Sequence, residues 1–423
     1  MNILFIHQNF PGQFRHLAGY LADIPGNRVV AICQPHAPGH PKVPARFNYQ
    51  PSRRPASVAT QHTHPYLRTL EGGVLNGQAV AKLLLRLKKD GYTPDIIIAH
   101  PGWGEALYAK DIFPHTPLLN HFEFYYHADG ADSNFDPEYP LSLDGRIRIR
   151  TRNALHLLNL EACDAGVSPT HWQKSLHPAE FHAKISVIHE GVDTALASPN
   201  PAQTQTQTQT QTQTFTLPNG QVLTQADEVV TYVARNLEPY RGFHPFMRAA
   251  EHICRKRPHC HILIVGGDDV SYGARLPPGQ SYRQNMLAEV AIDPARVHFL
   301  GKLPYADYLA LLQVSSVHVY LTVPFVLSWS MLEAMSAGCL VVGSDTAPVR
   351  EVLEHGHNGL LVDFFSPVEI AGHVDAVLDH PDRLHALRVA ARQTVMERYG
   401  LRQSLQQYQD LINALVQPQR EDG

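Results

Sequence analysis

The chain alternates short apolar runs with longer amphipathic stretches, and the series occurs twice. In the first half the runs are Asn2–His7, Arg28–Cys33, Asp95–His100, Pro117–Phe122, Ala165–Ser168 and Lys184–His189. In the second they are Val229–Ala234, His261–Val265, Arg296–Leu300, Val317–Leu321, Leu340–Gly343 and Gly359–Val362. Short apolar runs separated by helical stretches are the pattern of a parallel sheet covered by helices. Gln78–Lys89 illustrates the helical period: Val80, Leu83, Leu84 and Leu87 form one stripe, while Lys82, Arg86 and Lys89 stay wet. The series restarts after residue 195, which predicts two α/β domains, residues 1–195 and 196–395, before a last segment, 396–423. Arg383–Val416 reads as helical, with Leu384, Leu387, Leu405, Tyr408, Leu411 and Ile412 among its apolar positions.

Length supports the division, because 423 residues exceed the ~250–300 at which one hydrophobic core stops growing. Gln203–Thr214 alternates Gln and Thr with no apolar face to bury, so it reads as a flexible insertion in the second domain. A net charge of −4 lacks the basic excess that a nucleic-acid partner would require. The five cysteines are scattered without a C-x-x-C pair, which fits a reducing cytosol and neither a disulfide framework nor structural zinc. The N-terminus lacks the basic flank of a signal peptide, and no stretch approaches the ~20 apolar residues of a membrane span. The expected location is therefore cytoplasmic. Pairs such as His355 and His357 have ligand-like spacing but no third and fourth partner, so no metal centre is expected. Arg146, Arg148, Arg150 and Arg152 form a basic block, either a solvated face or a contact with an anionic acceptor or lipid surface.

Four segments place turn residues after strands, where open α/β sheets bind ligands. In Asn9–Leu17, Gly12 at a helix start allows close approach of a ligand, and free N–H groups there suit an anion. In Asp95–Glu105, His100 leaves a buried strand and either carries a proton, donates to a hydroxyl, or merely caps a helix or fills a polar gap. Glu105 reads as an acid in the first turn of the following helix. In Tyr232–Phe243, Arg235 and Arg241 flank a turn and are either a diphosphate clamp or ordinary surface charges. In Val323–Cys339, the stretch Ser330–Ala337 reads as a buried helix carrying Glu333, whose partner is a ribose or an arginine.

Taken together and in this order, the segments resemble glycosyltransferase family 4, retaining sugar transferases of the GT-B architecture. The Pro11-Gly12 turn resembles the family's glycine-rich loop near the donor phosphate and sugar, and His100 matches its histidine directed at the donor sugar. His189-Glu190-Gly191-Val192-Asp193 is similar to the stretch that closes the N-terminal domain. Arg235 and Arg241 fall on the family's Arg and Lys that hold the diphosphate. Val297–Gly301 resembles the strand whose following backbone, near Lys302 and Leu303, reads the base. Leu332-Glu333-Ala334-Met335 with Gly338 is the strongest match and implies that Glu333 holds the ribose. One departure stands out: the family's first glutamate, eight positions earlier, is Phe325 here, with the Ser328 and Ser330 hydroxyls nearby.

The resemblance implies two Rossmann-like domains across a cleft, an N-terminal one for the acceptor and a C-terminal one for the nucleotide sugar. It also implies a final helix returning to the first domain. The expected reaction moves a sugar from a nucleoside-diphosphate sugar to a hydroxyl of a glycan, glycolipid or small molecule. No cofactor is expected, and contact with the inner face of a membrane is left open. No Asp-x-Asp motif is present, so the arginines and helix N-termini are expected to neutralise the leaving diphosphate without metal. The alternatives are a nucleotide-sugar 2-epimerase of the same architecture and a non-catalytic glycan- or nucleotide-binding homologue.

Overall fold

A computed structural model describes residues 1–52, 63–199, 213–382 and 384–417. All of the Gln-Thr repeat except its last two residues lies outside them, as does Arg383. The chain forms two compact units, Met1–Gly191 with Leu401–Gly423, and Val192–Gly400. Among the described residues no helix is long and apolar enough to cross a membrane.

Unit 1 is built on β1 (Asn2–Ile6), β2 (Arg28–Cys33), β3 (Arg46–Asn48), β4 (Ile96–Ala99), β5 (Leu118–His121), β6 (Ala165–Ser168) and β7 (Ile185–Val187). They form one parallel sheet in the order β3-β2-β1-β4-β5-β6-β7. Ile3 pairs with Val29 on one side and Ile96 on the other. Neighbouring residues then point to opposite faces. Ile3, Phe5, Ala31 and Ile98 join one core with the first helix, Arg15–Asp23, while Leu4, Ile6, Val30 and Ile97 join a second with the helix Arg68–Lys89. Burial on both faces is why these strands read as continuous apolar runs.

Unit 2 begins with an antiparallel hairpin, β8 (Thr214–Thr216) and β9 (Val222–Thr224). Its parallel sheet comprises β10 (Val229–Asn236), β11 (His261–Gly267), β12 (Val297–Gly301), β13 (Val317–Tyr320), β14 (Leu340–Ser344) and β15 (Leu360–Val362), ordered β12-β11-β10-β13-β14-β15. The stretch expected as one helical run after residue 383 is two helices, His385–Arg398 and Leu401–Val416, broken at Tyr399-Gly400. The first belongs to unit 2 and the second to unit 1, where Tyr408 and Ile412 enter the core beside Leu17 and Leu21.

Candidate functional site

Each sheet reverses its winding direction at one strand: β1 lies between β2 and β4, and β10 between β11 and β13. At such switch points the loops after neighbouring strands diverge and leave a crevice at the carboxyl ends. In unit 1 the strands around that point end in imidazoles: His7 follows β1, His100 follows β4 and His121 closes β5. All three are buried, and their rings lie near one another, His7 and His100 at 5.2 Å and His100 and His121 at 5.9 Å between centroids. Trp103 stacks on His100 at 4.5 Å.

Hydrogen-bond direction fixes where the protons are. Asn9 N–H donates to His7 Nδ1 (2.9 Å), so neutral His7 carries its proton on Nε2, which donates to Gln13 Oε1 (2.8 Å). The Gln13 amide then donates to Glu123 Oε1 (3.0 Å). Gly102 N–H donates to His100 Nδ1 (3.2 Å), leaving the His100 proton on Nε2, 3.6 Å from Glu123 Oε2. Burial, reinforced by the like charge of His100, pushes the His7 imidazole down to about 3. Burial opposes ionisation of Glu123, but the neighbouring His100 and His121 imidazoles and the Gln13 amide outweigh it and hold the carboxyl at about 2. His121 Nε2 meets Glu190 Oε1 at 3.2 Å. Gly12 opens a short turn at φ +47°, and a Cβ there would sit 2.3 Å from His7 Nε2. A cavity of about 180 Å³ is lined by His100, Trp103, His121, Glu123, Phe124, Tyr126 and neighbouring residues of the same unit.

Glu105 is not in the first turn of a helix. It follows the turn Pro101–Trp103 and is fully buried, accepting the Tyr49 hydroxyl at 2.5 Å. Burial raises its carboxyl to about 7.

At the switch point of unit 2, Arg235 is exposed near the end of β10 and Arg241 is buried just beyond it. Arg241 donates from Nη1 to Thr322 Oγ1 (2.9 Å), the Val326 carbonyl (2.9 Å) and the Tyr320 hydroxyl (3.2 Å). Among the described residues no carboxylate pairs with it. Gly242 follows at φ +63°, where a Cβ would approach Leu321 Cβ to 2.4 Å. Phe325 packs against Tyr240 and Tyr272 at 5.4 and 4.8 Å, and the Arg241 guanidinium lies 5.7 Å from its ring. Ser328 N–H donates to the same Tyr320 hydroxyl (2.8 Å), and the Ser328 side chain caps the helix Trp329–Ser336 beside buried Ser330.

Glu333 sits on that helix half-buried, and its carboxylate accepts the hydroxyls of Tyr305 (2.8 Å) and Tyr308 (2.9 Å). Both tyrosines belong to the helix Tyr305–Val314 that follows Lys302 and Leu303. Lys302 is exposed beside Gly267 at the end of β11, and Leu303 leans on the unit 2 core. The structure therefore gathers Arg241, Ser328 and Ser330 around Tyr320, and ties Glu333 to the connection after β12. His7, His121, Glu123 and Tyr320 are members of these clusters that sequence reasoning did not single out.

Residues 25–197 match the family model for the glycosyl transferase family 4 group, and residues 217–394 match that for glycosyl transferases group 1. The phosphatidyl-myo-inositol mannosyltransferase of Mycolicibacterium smegmatis is 26% identical over 266 residues, covering 58% of this chain and 64% of its own length. An uncharacterized glycosyltransferase of Methanocaldococcus jannaschii is 26% identical over 156 residues, 37% of each protein. The chain thus spans less than two thirds of either curated relative. Among solved structures, Anabaena HepE in complex with UDP and glucose aligns over 98% of this chain and 100% of its own, at TM-score 0.65 and 18% identity. Sucrose-phosphate synthase from Thermosynechococcus elongatus aligns over 98% and 99%, at TM-score 0.69 and 17% identity.

Proposed function

From a chain that belongs to the family 4 type of glycosyltransferases, with the GT-B fold, we propose retaining transfer of a sugar from a nucleoside-diphosphate sugar to a hydroxyl acceptor, without a metal. The observation that carries this reading is Arg241: a buried guanidinium at a switch point, facing neutral oxygens and aromatic rings instead of a carboxylate. Keeping such a cation buried is costly unless an anion joins it, and a donor diphosphate is that anion. Three of its hydrogen bonds leave from Nη1, and the guanidinium also lies beside the Tyr272 and Phe325 rings. Arg235 adds an exposed second charge. Glu333, held by two tyrosine hydroxyls at the helix that follows β12, takes the ribose, while the backbone near Lys302 and Leu303 takes the base.

In this reading the two arginines stabilise charge developing on the leaving phosphate, which itself takes the acceptor proton as the hydroxyl attacks from the face it leaves. His100 contacts the sugar through Nε2, the nitrogen that the Gly102 N–H leaves uncommitted. The acceptor is a glycan, glycolipid or small molecule; the mannosyltransferase relative favours a lipid-linked one.

The test is a panel of UDP-, GDP-, ADP-, CMP- and dTDP-sugars scored by thermal stabilisation and nucleotide release, with chelator present and absent. One nucleotide sugar should stabilise the protein and turn over equally with chelator. Arg241→Ala or Arg235→Ala should cost about 10- to 100-fold in donor affinity or turnover. Full activity in both single variants would sink the clamp, and a free 2-epimer as the product would assign the chain to the epimerases.

A further inference from the structure

In the unit 1 cavity a hydrogen-bond donor and an acceptor face each other without meeting. The His100 proton is on Nε2, because Nδ1 already accepts from Gly102 N–H. Nε2 is buried and has no hydrogen-bond partner among the described residues. Its nearest carboxylate oxygen, Glu123 Oε2, is 3.6 Å away, beyond a normal N–H···O bond. Glu123 is held in place from two sides: the Gln13 amide donates to its other oxygen (3.0 Å), and the Gln173 amide donates to its backbone carbonyl (2.6 Å). Its side chain is 33% exposed, and it lines the same cavity as His100.

An atom that bridges this pair must accept from the imidazole and donate to the carboxylate. A hydroxyl does both, whereas a carbonyl or ether has no proton to give and an ammonium has no lone pair. The neighbouring imidazoles and the Gln13 amide favour the ionised form of Glu123, which only accepts. Trp103, Phe122, Phe124 and Tyr126 supply apolar walls of the kind the C–H face of a sugar ring packs on. We propose that Glu123 is a specificity-determining residue that reads one sugar hydroxyl, accepting its proton at Oε2 while His100 Nε2–H donates to the same oxygen. The proposal rests on the glycosyltransferase reading and adds to it a residue in unit 1. The hydroxyl belongs either to the donor sugar or to a sugar acceptor, and the two sources separate experimentally.

The experiment uses the full chain labelled with 15N-histidine, as wild type, Glu123→Gln and Glu123→Asp. Probes are UDP, UDP-glucose and methyl glucoside, with binding followed by calorimetry and by the His100 Nε2 signal. If the hydroxyl is the donor's, UDP-glucose moves that signal and UDP does not; if it is the acceptor's, methyl glucoside moves it. Glu123→Gln should reduce affinity for the responding sugar probe about 10- to 100-fold while UDP binds within twofold of wild type. Glu123→Asp should recover part of that loss, and an unchanged thermal melt separates the effect from misfolding. A His100 signal that ignores both sugars, or sugar affinity untouched in Glu123→Gln, overturns the proposal. Should UDP and UDP-glucose both fail to bind, the donor is not a uridine nucleotide, and methyl glucoside alone decides the Glu123 pair.

Discussion

Phe325 stands eight residues before Glu333, where the family places an acid, and the surroundings of Arg241 explain what the ring does there. It closes an aromatic wall with Tyr240 and Tyr272 and leaves the guanidinium uncompensated. Phe325→Glu would set a carboxylate beside Arg241 that competes with a diphosphate. UDP affinity measured by calorimetry should fall about tenfold, partly from the new ion pair and partly from lost packing. Gly12 is constrained differently: a Cβ would overlap His7 Nε2, and the backbone sits at φ +47°. Gly12→Ala should destabilise the protein by about 1–3 kcal/mol in denaturant titrations. His100 was legible because it leaves a buried strand at its carboxyl end. The same signal stands in Ile6-His7 and Asn120-His121, and applying it at every strand would have recovered the cluster. Glu123 had no such signal, since it follows β5 in irregular chain where no period marks which way a side chain faces.

At the level of elements, legibility followed burial. The core strands were readable because both faces are covered, which leaves few polar residues to obscure the run. Arg46–Asn48 escaped notice because all three of its residues are exposed at the sheet edge. The hairpin of β8 and β9 escaped because each strand buries a single side chain, Phe215 or Leu223, too little to establish alternation. The apolar period continues on both sides of Gly400, so the sequence does not mark where one helix ends; packing puts the helix before it in the unit 2 core and the one after it in the unit 1 core. Ile412 is fully buried in the unit 1 core. Ile412→Ala should cost about 2–5 kcal/mol in urea unfolding, and fragments reported by limited proteolysis should come from unit 1. Cleavage confined to unit 2 would contradict this assignment.

Across the whole molecule, the 26 histidines couple stability to acidity. Burial pushes His7 and His318 down to about 3 and His177 to about 4, each lying at 3% exposure or less. Below the ordinary histidine value of about 6.5 the unfolded chain takes up protons that these folded sites refuse. Stability therefore rises with pH between roughly 3 and 6.5, by about 1.4 kcal/mol per unit for each group. Glu105 acts oppositely: its raised carboxyl contributes stability at low pH that is lost as pH climbs through about 7, but these histidines outnumber it, and His156, also pushed by burial down to about 3, joins them. The melting temperature should accordingly climb from pH 4 to 6.5, and His318→Gln should flatten the slope; a melt independent of pH would refute the assignment. The return of Leu401–Val416 to unit 1 also matters while the chain is being made. Ribosomes deliver the N-terminal half first, yet the helix Arg15–Asp23 waits for Tyr408 and Ile412 to cover Leu17 and Leu21 until all of unit 2 has been translated. Nascent chains halted before residue 400 should therefore carry an uncovered apolar groove and depend on chaperones, whereas release of the finished chain removes that dependence.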